Sequence, residues 1–143
     1  MSFWQKTLDG FIDGSIAEPL VNTKLGLDPA LHNWRPGFVE KRWPVDPELC
    51  HGSVLFGGYL AVIADQVLGL AVMTVLEDGY FFGTTNMSIT YFAPVTGGEL
   101  RIEGEVIRQS AKSMYVESTF YIEEKIVAKA SATQVVYEQG IAN

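Results

Sequence analysis

The stretch that decides the fold is FGGYLAVIADQVLGLAVMTVL, residues 56–76. From Gly58 to Leu76 it is apolar nearly throughout, and Asp65 is its only charged side chain. An apolar segment of this length is either a buried core helix or a membrane span. A carboxylate at the centre of a span costs about 2.5–3.5 kcal/mol, and no basic cluster flanks this segment to orient it. The pattern therefore favours a helix buried in the core of a globular domain.

The composition describes one globular domain. The chain has 143 residues, of which 48% are hydrophobic and 19% charged, which is enough for one core and short for two. The net charge of -7 argues against broad electrostatic contact with nucleic acid or an anionic membrane surface. The single cysteine, Cys50, excludes an intrachain disulfide, and residues 1–14 lack the basic and apolar regions of a secretory signal. We therefore expect a cytoplasmic protein.

The rest of the chain divides by its apolar period. Residues 1–20 are predicted to form an N-terminal helix and loop, and five prolines make residues 18–50 mostly loop apart from a short strand at about 38–43. After Gly79 the period changes to two, which predicts four successive strands. The last strand is predicted to place Ile126, Ala128, Ala130 and Ala132 on one face. Because the connections are short, we expect an antiparallel meander.

These elements predict an α+β class over a single domain, residues 1–143, with a core at about 38–137. A single curved antiparallel sheet wrapped around the long helix is the economical way to bury that helix.

Asp65 and the Gly57–Gly58 pair are the candidates for chemistry. An isolated carboxylate in an apolar setting is costly, so Asp65 is functional, contacts a loop, or lies on a helix face that reaches solvent at a subunit seam. The N–H groups of both glycines lie where the helix begins, without intrahelical partners, and suit a developing oxyanion. Asp65 lies about 12 Å further along the axis. Two antiparallel helices about a two-fold axis would bring the groups together, which predicts an active site shared across a dimer.

These residues resemble the hotdog-fold acyl-CoA thioesterases, in particular the branch typified by phenylacetate-pathway and 4-hydroxybenzoyl-CoA thioesterases. The family's helix motif HGGxLxxLAD is matched by FGGYLAVIAD at residues 56–65, and its strand motif ITYxxP by ITYFAP at residues 89–94. The resemblance covers about residues 50–137. It implies a hotdog fold, with one long central helix wrapped by a curved antiparallel sheet, and at least a homodimer, with a homotetramer also open.

The resemblance also implies catalytic roles. Asp65 corresponds to the family's catalytic carboxylate, which acts as general base on water or as nucleophile at the thioester carbonyl. Gly57 corresponds to the residue whose N–H polarises that carbonyl from the opposite subunit. Thr84 corresponds to a hydroxyl residue that helps to hold the water, and an ordinary strand threonine is the alternative.

Two positions depart from the family's pattern. Phe56 replaces the histidine before the glycine pair, and Cys50 occupies the place of an upstream asparagine. The neighbouring His51 is a candidate to supply the missing polar function, since imidazole can donate to a carbonyl or orient water; the alternative is a loop histidine without a catalytic part. Cys50 has no base readable around it and is predicted to be a small, partly buried thiol.

The remaining site predictions concern the substrate. Phe56, Gly58 and Tyr59 are predicted to bind it, and further candidates for an acyl pocket are Phe81, Phe82 and Tyr91. Arg108, Lys112 and Ser113 are expected to meet the pyrophosphate of coenzyme A, although a charged turn is more often simply solvated. No cofactor is expected beyond coenzyme A as part of the substrate. No metal is expected either, because the two histidines have no ligand spacing.

The sequence thus predicts an acyl-CoA thioesterase that releases a free acid and coenzyme A, without a nucleic-acid or membrane partner. Two alternatives stay open. One is a non-catalytic acyl-CoA-binding protein on the same fold, which the loss of the histidine and asparagine favours. In the other, Asp65 is structural and the chemistry lies elsewhere.

Overall fold

The computed structural model describes residues 1–140; positions 141–143 of the predicted domain lie outside the described residues. The helices are α1 Phe3–Asp13, α2 Leu20–Lys24 and α3 Gly57–Met73, with a 3-10 turn at Pro47–Leu49. The strands before α3 are β1 Asn33–Arg35, β2 Phe38–Pro44, β3 Cys50–His51 and β4 Val54–Leu55. The strands after α3 are β5 Tyr80–Tyr91, β6 Glu99–Gln109, β7 Ser113–Ile122 and β8 Lys125–Glu138.

Helix α3 is the long apolar helix that the sequence predicts. It begins at Gly57, and most of its residues from Tyr59 to Met73 are buried. Five strands contact it, namely β2, β5, β6, β7 and β8, so a curved antiparallel sheet wraps around it and removes its apolar surface from water. The predicted α+β architecture is confirmed. Among residues 1–140, no helix is both long and apolar enough to cross a membrane.

The strand order corrects the predicted meander. The six-stranded sheet runs β1-β2-β6-β7-β8-β5, so β6, β7 and β8 are successive neighbours but β5 pairs with β8 rather than with β6. The reason is that the other edge of β6 is already occupied by β2. Residues 92–98 carry the chain past the strand ends, where the Leu55 N–H donates to the carbonyl of the buried Val95 at 2.8 Å.

A β-bulge in β8 corrects one predicted face. Phe120 is opposite Ala128, but the next residue of β7 is opposite Ile126, so Val127 is the extra residue. The bulge turns Val127 inward, to 4% exposure, and leaves Ile126 48% exposed. The predicted inward position of Ile126 was therefore wrong. Beyond the bulge the inward face continues as predicted through Ala132 and extends to a fully buried Gln134.

Helix α1 is fastened across one end of α3. Ser2 and Gln5 form a capping box at its N-terminus. The indole N–H of Trp4 donates to the Tyr80 carbonyl at 3.1 Å, and the Gln5 amide donates to the Thr74 carbonyl at 2.8 Å. These bonds fix α1 against the start of β5 and the end of α3. Helix α2 falls in the proline-rich stretch predicted to be mostly loop.

Candidate functional site

Asp65 lies on the one face of α3 that the sheet leaves open. The less buried positions of the helix lie on one side of it. They are Gly57, Gly58, Ala61, Val62, Asp65, Gln66 and Gly69. Asp65 itself is exposed, and within residues 1–140 it takes part in no salt bridge. The single chain therefore gives this carboxylate an outward-facing surface rather than a charged partner.

Asp65 and Thr84 line the same groove, which we call the carboxylate groove. It has a volume of about 460 Å³ and is walled by Trp4 and Phe11 of α1 and by Phe82 of β5, with Gln66 beside the carboxylate. The structure thus brings together two of the predicted catalytic residues, and α1 supplies aromatic walls that the sequence did not predict as part of a site. A polar group among aromatic walls is typical of a small-molecule site.

Behind Thr84 lies a buried glutamine. Thr84 and Gln134 are paired in register between β5 and β8, and the Thr84 hydroxyl donates to Gln134 Oε1 at 2.9 Å. Gln134 is fully buried. Within residues 1–140 its Nε2 has no hydrogen-bond partner, and neither polar atom of Gln66 has one.

Both glutamines were missed by the sequence prediction. The available signal for Gln134 was its position in the period-two run that places Ala130 and Ala132 inward, because a polar side chain is unusual on such a face. Gln66 carried no signal beyond its place next to Asp65.

Gly57 lies in a separate crevice at the start of α3, which we call the glycine crevice. Leu60 and Tyr91 line it with Gly57, and its volume is about 350 Å³. The Tyr91 hydroxyl donates to the Gly57 carbonyl at 2.7 Å. The preceding Phe56 supplies no side-chain cap. The Tyr59 N–H donates to the Phe56 carbonyl at 2.9 Å, so among residues 1–140 the unpaired N–H groups of this helix start are those of Gly57 and Gly58.

His51 lies at the same end of the helix. It lines a surface hollow with Cys50 and Phe56, next to the start of α3. Cys50 is partly exposed, and its thiol contacts the Asp46 carbonyl at 3.6 Å. The four predicted catalytic residues therefore fall into two groups: Asp65 and Thr84 in the carboxylate groove, and Gly57 and His51 at the helix start.

Tyr59 belongs to the core and not to a ligand-accessible surface. Its side chain is 7% exposed. Its ring packs against Trp43 with centroids 5.0 Å apart, and its hydroxyl donates to the Leu25 carbonyl. Burial, with a smaller contribution from nearby carboxylates, raises the pKa of the Tyr59 phenol. Its position on α3 faces β2, so the single chain leaves little of the ring for a substrate to contact.

The other predicted substrate-binding residues lie at the surface. Phe56 is 64% exposed and its ring covers Gly58, where an added Cβ would lie 2.8 Å from the ring edge. Arg108 and Lys112 are exposed and Ser113 is half-buried around the β6–β7 turn. That turn lies at the same end of the sheet as Thr84, since Met114 pairs with Gln134, but strand β8 separates it from β5.

The described residues contain no cluster of three or more histidine, cysteine, aspartate or glutamate side chains that could hold a metal ion. The polar groups that line the two crevices include the Asp65 carboxylate, the Thr84 and Tyr91 hydroxyls and the Gln66 amide.

The sequence matches the profile of the thioesterase superfamily over residues 52–129. No curated protein matches it. Among solved structures it is similar to a phenylacetic acid degradation-related protein from Ralstonia eutropha, with a TM-score of 0.79, 24% identity and coverage of 90% of this chain and 98% of the other. The likeness to that structure confirms the predicted hotdog fold.

Two further solved structures are similar over most of the chain. One is a hypothetical thioesterase from Streptococcus pneumoniae with coenzyme A, with a TM-score of 0.68, 26% identity and coverage of 82% of this chain and 98% of the other. The second is the smu.793 protein of Streptococcus mutans bound to acetyl CoA, with a TM-score of 0.69, 25% identity and coverage of 76% and 87%.

Proposed function

Because this chain belongs to the thioesterase superfamily, we propose that it hydrolyses the thioester of an acyl-CoA to a free acid and coenzyme A, with Asp65 as the catalytic carboxylate. The observation that carries the proposal is the carboxylate groove, in which an exposed carboxylate and a hydroxyl lie between aromatic walls. The coenzyme A and acetyl CoA held by the two streptococcal proteins support the same ligand class here.

The chemistry follows from these groups. Asp65 removes a proton from a water molecule, and the water oxygen attacks the thioester carbon. The carbonyl oxygen becomes an oxyanion, which the Gly57 N–H stabilises at a helix start. Collapse of the intermediate breaks the carbon–sulfur bond, and the proton held by Asp65 passes to the leaving sulfur. Thr84, in the same groove, supports the general-base role because it offers a second contact for the water.

The proposal requires two subunits. Gly57 and Asp65 of one helix are about 12 Å apart along its axis, and they lie in different crevices. An antiparallel pair of α3 helices related by a two-fold axis would place Gly57 of each subunit beside Asp65 of the other. The open face of α3 and the free edge of β5 support this homodimer, because both are surfaces that a second copy could cover.

The other predicted contacts complete the proposal. His51, at the helix start, would donate toward the same carbonyl as Gly57, and exposed Phe56 and Gly58 would contact the acyl or pantetheine portion. Arg108 and Lys112, with Ser113, would meet the phosphates of coenzyme A, because exposed cations form charge-assisted hydrogen bonds with phosphate oxygens.

Asp65→Asn tests the catalytic carboxylate. Loss of the base should lower kcat about 10²- to 10⁴-fold, while the melting temperature stays close to that of the wild type because the side chain is exposed. The measurement is release of free thiol from a panel of acyl-CoAs. The matched control is Asp13→Asn at the end of α1, which should keep full activity. An Asp65→Asn protein with wild-type turnover would remove Asp65 from the mechanism.

The two roles of the carboxylate are separated by isotope labelling. In a single turnover in ¹⁸O-labelled water, a general base delivers the label to the product acid. A nucleophile forms an acyl–aspartyl anhydride, and water that opens this anhydride at the aspartyl carbon leaves the label in the carboxyl group of Asp65, so label in Asp65 would identify a nucleophile. The expected result is label in the product.

A second candidate function is acyl-CoA binding without hydrolysis, which Phe56 and Cys50 favour because they stand where the family has its histidine and asparagine. This candidate predicts saturable binding of coenzyme A esters by a protein that releases no thiol from any of them.

A further inference from the structure

Gln134 is placed where an amide is costly. Among the fully buried polar residues of the described chain, only Lys41 is larger. Within residues 1–140 the Gln134 Nε2 has no hydrogen-bond partner. A buried N–H without a partner loses its hydration and gains nothing in exchange. An apolar residue of similar size would avoid this loss and would continue the alanine face of β8, so stability does not account for a glutamine here.

Among the described residues, the side chain of Gln134 makes a single hydrogen bond, and this bond determines the orientation of the Thr84 hydroxyl. The Thr84 hydroxyl donates to Gln134 Oε1 at 2.9 Å. A hydroxyl has one proton and two acceptor lone pairs. Because its proton is used toward the interior, Thr84 Oγ1 is left as an acceptor on the groove side.

We infer that Gln134 is a positioning residue that holds Thr84 as a hydrogen-bond acceptor for the attacking water. The inference rests on the proposed function. A water molecule that attacks a carbonyl carbon must direct a lone pair at that carbon, which leaves its two protons to be accepted elsewhere. Asp65 accepts the first and removes it, and Thr84 accepts the second without removing it.

Without the Gln134 carbonyl, the Thr84 hydroxyl would be free to turn and donate to Asp65 or to the water. Donation to Asp65 would make the carboxylate a weaker base, and donation to the water would occupy the lone pair needed for attack. Gln66, on the same groove, has an amide with both polar atoms buried and unpaired within residues 1–140. The groove therefore has a second unpaired buried amide beside Asp65.

A double-mutant cycle tests the inference. Gln134→Met removes the acceptor at nearly constant volume and should lower kcat about tenfold, the value of one hydrogen bond, with little change in KM. Thr84→Val removes the hydroxyl. If Gln134 acts only through that hydroxyl, Gln134→Met should cause no further loss of kcat in the Thr84→Val background. Losses that multiply in the double variant would overturn the inference.

Ser118→Ala is the matched control. Ser118 is fully buried in β7, and its hydroxyl also lacks a partner within residues 1–140, but it does not line the carboxylate groove. The control should leave kcat unchanged. A loss equal to that of Gln134→Met would show that kcat responds to any change in buried polarity, which would also overturn the inference.

A measurement on the wild-type protein also tests the inference, and it does not require any variant to fold. In NMR spectra the Thr84 hydroxyl proton should exchange slowly and show a nuclear Overhauser effect to the side chain of Gln134. A fast-exchanging hydroxyl with a contact from the Gln134 Nε2 protons instead would mean that the amide donates to Thr84, and the inference would fail.

Failure of the proposed function has a different signature. A wild type that releases no thiol, or full activity in Asp65→Asn, would refute the function and the inference together. Turnover that depends on Asp65, combined with multiplicative losses in the cycle, would refute the inference alone.

Discussion

Two polar side chains that point inward from strands are used in different ways. The ammonium group of Lys41 on β2 is fully buried and donates to the carbonyls of Leu27, of Pro29 at 2.7 Å and of Ala30 at 3.2 Å. All its protons are therefore used to hold the loop before β1. Within residues 1–140, the side chain of Gln134 makes one hydrogen bond, toward a groove residue. Lys41, whose donors are all hydrogen-bonded, is structural. Gln134, whose Nε2 is unpaired within residues 1–140, is where we expect a function.

Lys41 should make stability depend on pH. Burial, opposed by Glu18 and Asp28, lowers the pKa of Lys41 from 10.5 to about 8. Between these values the unfolded chain binds more protons than the folded one, so the free energy of unfolding rises with pH. In Lys41→Met this contribution is lost, and the unpaired carbonyls should cost about 1–3 kcal/mol at neutral pH. Urea denaturation should show the gap between wild type and variant widening from pH 8 to 10.5.

Lys125→Met provides the comparison, because Lys125 is exposed on β8. Its unfolding free energy should follow that of the wild type across the same pH range. Parallel curves for wild type and Lys41→Met would contradict the prediction.

The contact between α3 and the sheet depends on one strand glycine. A Cβ added at Gly104 of β6 would lie 2.8 Å from Cγ1 and 3.2 Å from the carbonyl oxygen of Val67, and 3.0 Å from Cγ1 of Val39. The missing side chain lets the backbone of the helix approach the sheet. At the scale of elements, this close approach determines how deeply α3 sits in the curved sheet.

Gly104→Ala should therefore destabilise the protein by about 1–3 kcal/mol, because the added methyl overpacks the helix–sheet contact. Chemical denaturation would show this as a lower midpoint at an unchanged slope. Gly83→Ala on β5 is the matched change, since a Cβ there meets nothing within 4 Å, and it should shift the midpoint little. Equal effects of the two substitutions would place the close contact elsewhere.

The whole molecule is expected to work as a two-fold pair. If Gly57 of each subunit faces Asp65 of the other, the antiparallel helices must cross at the midpoint of that segment, which is Ala61. Helices in contact have axes about 8–10 Å apart, which brings the two Cα atoms of residue 61 within the roughly 7 Å that a disulfide can span.

Ala61→Cys in a Cys50→Ser background should therefore give a covalent dimer under mild oxidation, seen on a non-reducing gel. Glu124→Cys in the same background is the control, because Glu124 is exposed in the β7–β8 turn, and it should remain monomeric on that gel. A monomeric Ala61→Cys protein would exclude the proposed crossing point.

In the candidate site, features that lie within one element could be predicted from the sequence, and features built from several elements could not. The Gly57–Asp65 spacing along one helix, the period-two region that follows it and the carboxylate itself were all readable, because each lies within a single element or a single run of the sequence. The groove was not readable, because its walls come from α1, α3 and β5, which are far apart in sequence. The contact between Gln134 and Thr84 was not readable either, because it depends on the pairing of two strands that are far apart in sequence.

The sequence by itself determined the elements of this protein: an apolar helix that starts at a glycine pair, a period-two region after it, and a family motif around Asp65. Local backbone preference and hydrophobic period settle these features within a few residues of each position. The tertiary structure alone decided that β5 pairs with β8, that Val127 rather than Ile126 turns inward, and that Tyr59 is core. These outcomes depend on which edge is already occupied and which volume is already filled, and that competition exists only once the chain is folded.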